Sequence, residues 1–167
     1  MIRVLVVDDS AIVRRVLSEQ LNALDDVEVV GTAVDPYVAR DRIMQLKPDV
    51  MTLDVEMPRL DGLSFLATLM RHHPIPVVIV SSLTPRNSDT ALRALALGAV
   101  EVVPKPGSSY SVPDVGRELA RAVRTAARAK LRPHAETEAG PELLSSTGLL
   151  TTHKVIAIGA STGGTTA

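Results

Sequence analysis

Four charged side chains stand where short apolar runs end: Asp8 and Asp9 after Val4 to Val7, Asp54 after Val50 to Leu53, and Lys105 after Val100 to Val103. In a parallel α/β sheet those run ends share one rim, so the four groups converge on an acidic pocket with a single fixed cation. Hard divalent cations take oxygen ligands, and Mg²⁺ is commonly held by one or two carboxylates together with phosphate oxygens. The chemistry these residues suit is phosphoryl transfer, and the chain reads as a phosphoryl-accepting switch with Mg²⁺ as its cofactor.

Placing those groups on one rim requires strands and helices in alternation, and the sequence supplies them. Strand-like runs occupy residues 3–7, 28–33, 49–54, 76–81 and 100–103, and segments of helical period occupy 11–24, 36–46, 62–72, 87–97 and 113–130. In the first helix Ile12, Val16, Leu17, Leu21 and Leu24 recur at steps that put them on one face. Five βα units in a row imply an α/β fold, a doubly wound parallel sheet with helices on both faces, because parallel strands need right-handed crossovers. Ligands of such sheets bind outside the carboxyl ends of the strands, where the strand order reverses.

Punctuation supports these boundaries. Ser10 can cap the first helix, Pro48 precedes the third strand, and Pro74 and Pro76 frame entry to the fourth. Asp61-Gly62 makes a turn before the third helix, and Gly98 stands where the fourth needs a C-terminal cap. Lys105-Pro106-Gly107 reads as a tight turn compatible with a cis peptide bond.

Composition narrows the function classes. The 167 residues are 46% hydrophobic and 22% charged, with one Phe, two Tyr and no Trp, so the core must be aliphatic. A net charge of −1 gives no general reason to expect nucleic acid or membrane as a partner. The lack of cysteine excludes disulfides, thiolate metal sites and thiol catalysis. No signal peptide is read at the N-terminus, and no apolar stretch approaches the ~20 residues that span a bilayer, so a cytoplasmic protein is expected. From Leu131 to His153 the pattern dissolves into Pro, Glu, Thr, Ser and Gly, the signature of a linker. Residues 154–167 then open a new apolar run leading into Gly159-Ala160-Ser161-Thr162-Gly163-Gly164, like the first strand and turn of a second domain.

Five elements, in order and at fitting spacing, carry a resemblance: Asp8-Asp9, Asp54 with Met57-Pro58 and Asp61-Gly62, Ser81, and Lys105-Pro106. Together they resemble the receiver domain of two-component response regulators over residues 1–130, which implies a flavodoxin-like strand order of 2-1-3-4-5. With the linker (131–153) and the Ile-Gly-Ala-Ser-Thr-Gly-Gly segment (within 154–167), the chain is similar to the chemotaxis protein-glutamate methylesterases. The resemblance implies that Asp54 accepts a phosphoryl group from a chemotaxis histidine kinase. It implies that Asp9 and Asp54 bind Mg²⁺ directly with the backbone carbonyl of Glu56, while Asp8 acts through water. Lys105 and Ser81 would contact the phosphoryl group, Ser81 only after modification, and the Glu56 side chain has no assigned role. Ser161 would be the nucleophile of a C-terminal esterase that demethylates receptor glutamates, with receptor glutamines as further substrates for deamidation. Its His and Asp partners are expected beyond Ala167, so the fragment is expected to lack esterase activity. His134 and His153, in the linker, are poor bases for it.

The expected partners are the kinase, the chain's own esterase domain and, through the full-length protein, methylated chemoreceptors. Two departures from common receivers stand out. Val102 occupies the position, three before the lysine, where many carry a switching aromatic, and the loop Leu83 to Asp89 reads about two residues longer than in single-domain chemotaxis receivers. The last helix pairs an apolar stripe, Val115, Leu119, Ala122, Val123 and Ala126, with Arg117, Arg121, Arg124, Arg128 and Lys130. A solvated basic face is the ordinary explanation, and a docking surface for the esterase domain or a kinase is the alternative.

Competing classes fit less well. A haloacid-dehalogenase-type phosphatase commonly places Asp two residues after its nucleophile, where this chain has Val55-Glu56. A dinucleotide-binding module wants glycines where it has Asp8-Asp9-Ser10. A stand-alone phosphorylation-dependent interaction switch is the nearer alternative. Taken alone, Gly159 to Gly164 could also be a phosphate-binding loop, but no Gly-Lys-Ser/Thr follows.

Overall fold

The structure, a computed structural model, describes residues 1–57, 62–82, 85–106, 112–129 and 131. Ten elements alternate along it: β1 (Ile2–Val7), α1 (Ala11–Asn22), β2 (Val27–Ala33), α2 (Pro36–Leu46), β3 (Val50–Asp54), α3 (Gly62–His72), β4 (Val77–Ser81), α4 (Pro85–Ala96), β5 (Glu101–Pro104) and α5 (Val112–Arg128). The strands form one parallel sheet in the order β2-β1-β3-β4-β5, as the resemblance implies. Order reverses between β1 and β3, and Asp8 and Asp54 close those two strands.

Burial explains why these runs are strands. Every residue of β3 and β4 is buried, as is Val4 to Val7 of β1, since central parallel strands are covered on both faces and must be apolar throughout. One core cluster joins Leu5, Val7, Met51, Leu53, Val77 and Ile79 to Ile43 of α2, Leu66 of α3 and Ala94 of α4. The other joins Val4, Val6, Val50, Val78 and Val80 to Leu17 and Leu21 of α1 and to Val115, Leu119 and Val123 of α5. Val102 is half-buried against the first cluster.

Local caps follow the side chains. The Ser10 hydroxyl accepts from Val13 N at 3.4 Å, and Asp35, unremarked in the sequence, accepts from Val38 N at 2.8 Å to start α2. Gly98 ends α4 with φ 106°, a conformation that a side chain disfavours.

Three expectations are corrected. Ile12 is 77% exposed rather than part of the α1 stripe. The face toward the sheet runs Val13, Leu17, Leu21, Leu24, and Ile12 lies about 140° around the helix from Leu17 at 100° per residue. Helix α4 begins at Pro85, two residues before the expected start, so much of the supposed long loop is its first turn; proline suits that position because its missing N–H has no helical acceptor there. The described residues contain no cis peptide bond, so Lys105–Pro106 is trans, the form X–Pro bonds favour. Pro58, Asp61, Leu83, Thr84, Gly107, Lys130 and the linker and tail from 132 on, including His134, His153 and Ser161, lie outside the described residues.

Candidate functional site

Four strand ends assemble the site. The register that pairs Val7 with Leu53 and Asp54 with Val80 puts the β1–α1 and β3–α3 connections beside each other. Ser81 pairs with Pro104, and Lys105 N donates to the Ser81 carbonyl at 2.9 Å, which brings the lysine in from β5. Its Nζ reaches Asp54 Oδ2 at 2.6 Å and Asp8 Oδ2 at 3.4 Å. One carboxylate oxygen each from Asp8, Asp9 and Asp54 lie within 4.8 Å of one another. Asp8, Asp54 and Ser81 are buried, whereas Asp9 is exposed.

The main chain fixes the carboxylates. Glu56 N donates to Asp54 Oδ1 at 2.8 Å, and Ser10 N donates to Asp8 Oδ1 at 2.8 Å. Arg14 Nη1 donates to the carbonyls of Asp8 (2.7 Å) and Asp9 (3.0 Å), clamping the loop to α1. Gly62, at the start of α3, is pressed against this loop: a Cβ there would stand 2.8 Å from Val55 Cα and 3.1 Å from the Asp54 carbonyl oxygen.

Burial raises the pKa of Asp54, and hydrogen bonds from Lys105 and from Glu56 N only partly offset it. Burial likewise raises Asp8, with Lys105 opposing and the charge of Asp54 adding to the rise. For Lys105 burial works downward, but its bond to Asp54 and the charges of Asp54, Asp8 and Glu56 win, and its pKa is raised. Ionised carboxylates here therefore lack sufficient compensation. Asp8 Oδ2 is buried without a hydrogen bond, its lysine neighbour standing at ion-pair distance. A cluster of hard, under-compensated oxygens fits a divalent cation, which lowers the cost of keeping neighbouring carboxylates ionised.

Sequence reading missed the side chain of Glu56. Its Oε1 accepts from Ser81 Oγ at 2.5 Å and from Ser82 N at 2.9 Å, and its Oε2 accepts from Ser82 Oγ at 2.7 Å. Burial pushes this carboxyl up, but the serine hydrogen bonds outweigh it and the pKa is lowered. No periodicity links residues 25 positions apart; the available signal was an acid after β3 with two hydroxyls after β4. On α5, Arg124 forks onto Asp26 at 2.7 and 2.6 Å and Arg121 pairs with Glu101, so both arginines have partners within the domain. A groove of about 530 Å³ between α2 and α3, lined by Tyr37, Met44, Phe65 and Leu69 among others, contains none of the cluster's residues.

Residues 4–113 match the response regulator receiver domain family, and the chain belongs to that family. Among solved structures it resembles the response regulator domain of Thermotoga maritima CheB, with 42% identity and a TM-score of 0.70 over 78% of this chain and 98% of that one. It also resembles a chain in the complex of the CheA3 P1 domain with CheY6 from R. sphaeroides, with 35% identity, a TM-score of 0.64, and coverage of 77% and 98%. Among curated proteins it is 54% identical to protein-glutamate methylesterase/protein-glutamine glutaminase 2 of Syntrophus aciditrophicus over 99% of this chain and 49% of that protein. The methylesterase of Salmonella typhimurium is likewise 54% identical over 99% and 48%. The chain thus spans about half the length of the curated relatives it matches. Among the described residues no helix is long and apolar enough to cross a membrane.

Proposed function

We propose that Asp54 is the phosphoacceptor of a chemotaxis regulator and that its modification controls an esterase domain carried on the same protein. The observation supporting this most directly is the buried Asp54 carboxylate, held at one oxygen by Glu56 N and at the other by Lys105 Nζ at 2.6 Å. Attack by an Asp54 oxygen on a phosphohistidine forms the O–P bond of an acyl phosphate as the N–P bond breaks, and the imidazole leaves with the electron pair and takes up a proton. Asp9 and Asp54, with the carbonyl of Glu56, would hold Mg²⁺ directly and Asp8 would hold it through water, and the ion would supply charge neutralisation to the transferring group. Lys105 aligns the acceptor and balances developing negative charge, and Ser81, at the end of β4, donates its hydroxyl to the new phosphoryl oxygens.

Residues 1–130 are the receiver, 131–153 a linker and 154–167 the beginning of the esterase domain, with Ser161 its nucleophile. The unphosphorylated receiver covers the esterase site, and phosphorylation releases it to act on methylated, and amidated, glutamyl side chains of chemoreceptors in the cytoplasm. The relatives' names and their greater length support this reading. A phosphatase reading has less support, because the acid two residues beyond Asp54 is Glu56 and its carboxylate is engaged by Ser81 and Ser82. The test is methylesterase activity of the longer protein, wild type against Asp54→Asn, with and without a phosphodonor. Stimulation of the wild type alone is expected, and equal stimulation of both rejects the switch.

A further inference from the structure

The reading of Asp54 as phosphoacceptor gives Ser81 one task, donation to a phosphoryl oxygen, yet in this structure Ser81 is otherwise engaged. A serine hydroxyl carries a single hydrogen. Ser81 Oγ lies 2.5 Å from Glu56 Oε1, and the same carboxylate takes the Ser82 main-chain N–H at 2.9 Å and the Ser82 hydroxyl at 2.7 Å. Three donors at the start of the β4–α4 connection are thus gathered on one acid.

That acid is two residues from Asp54, and its own N–H holds Asp54 Oδ1 at 2.8 Å. Glu56 therefore grips the acceptor carboxylate with its backbone and the responding hydroxyl with its side chain. Ser81 is 1% exposed, so water offers its hydroxyl little alternative acceptor.

We propose, resting on that reading, that Glu56 is a positioning residue acting as a latch: its carboxylate competes with the phosphoryl group for the Ser81 hydroxyl and holds the β4–α4 connection in the unphosphorylated arrangement. A phosphoryl group on Asp54 undoes the latch in two ways. It presents Ser81 with a competing anionic acceptor, and its charge repels the Glu56 carboxylate nearby. Only the difference between the two acceptors drives the change, so Glu56 sets how far one phosphorylation moves the equilibrium.

The probe is beryllium trifluoride with Mg²⁺, a phosphoryl mimic, titrated into the 167-residue chain and followed by fluorine NMR. Glu56→Ala is expected to raise affinity about five- to tenfold when Ser81 is present, from release of a charge-assisted hydrogen bond. In the Ser81→Ala background the same change is expected to raise it less than about twofold, because the donor in competition is gone. Glu56→Gln, which keeps an acceptor oxygen and drops the charge, is expected to fall between wild type and Glu56→Ala. It also keeps the test available should the alanine variant fold poorly. Equal gains in both Ser81 backgrounds, or a Glu56→Gln gain matching Glu56→Ala, would mean that Glu56 acts through charge alone and would overturn the latch. No gain at all would overturn it too. Wild-type binding no better than that of Asp54→Asn would instead sink the phosphoacceptor reading on which the latch rests.

Discussion

At the residue scale, the structure concentrates cost where the chemistry is proposed. Asp8 is buried, one of its oxygens has no hydrogen bond, and its pKa is raised chiefly by burial. Because the folded value lies above the ordinary 3.8, the unfolded chain releases this proton first as pH rises past 3.8, and folding carries a cost that is complete above the folded value. Asp8→Asn removes the cost while Lys105 keeps its partner in Asp54. The variant should melt higher than wild type at neutral pH without metal, by roughly 2–6 °C, the span of about 1 kcal/mol in a domain of this size. The advantage should vanish as pH falls well below 3.8, where the folded and unfolded forms are both protonated, and should shrink on adding Mg²⁺ to the wild type; thermal melts across pH and Mg²⁺ check all three. A wild type that melts higher than Asp8→Asn in metal-free neutral buffer would contradict the account. The cluster of Asp8, Asp9, Asp54 and Lys105 was legible from sequence because each ends an apolar run, and strand ends of a parallel sheet share a rim. The Glu56 to Ser81 and Ser82 contacts were not, since they join two loops whose approach is set by the fold rather than by any local pattern.

At the element scale, fully buried strands and helices of clear period were the easiest to read. α2 and α3 match the expected spans, and the strands differ by a residue at their ends, where hydrogen bonding rather than hydropathy sets the boundary. Ile12 was misplaced because the choice between it and Val13 depends on how α1 is rotated against the sheet, which hydropathy at 3.6-residue period does not resolve. Gly62 carries a sharper consequence. Alanine is the better helix former by about 1 kcal/mol, so a purely local account has Gly62→Ala stabilising α3. Its Cβ would instead meet the backbone of Val55 at 2.8 Å and of Asp54 at 3.1 Å, atoms that cannot rotate away. Gly62→Ala should therefore destabilise by about 1–2 kcal/mol, the overpacking term exceeding the propensity gain, and should slow modification of Asp54. Urea unfolding measures the first and a phosphorylation time course the second; a more stable variant with an unchanged rate would rule the contact unimportant.

At the scale of the molecule, two cores sandwich one sheet, and the reversal of strand order leaves the acidic cluster at its rim. The basic face of α5 is partly an internal affair: Arg124 ties α5 to Asp26 and Arg121 to Glu101. Charge reversal at Arg121 and Arg124 is accordingly expected to leave kinase affinity unchanged in a binding titration, and a marked loss would reinstate the docking alternative. The curated relatives are about twice as long as this chain, so the proposed esterase and its control are to be tested on a longer protein. The central claim concerns this domain alone, that Asp54 forms an acyl phosphate with the help of a divalent cation. Intact-mass analysis of the chain incubated with acetyl phosphate tests it most directly. The expected result is the gain of a single phosphoryl group with Mg²⁺ present, mapped to Asp54 and abolished by Asp54→Asn or by chelation. Modification that persists in Asp54→Asn, or none in the wild type with Mg²⁺, would contradict it.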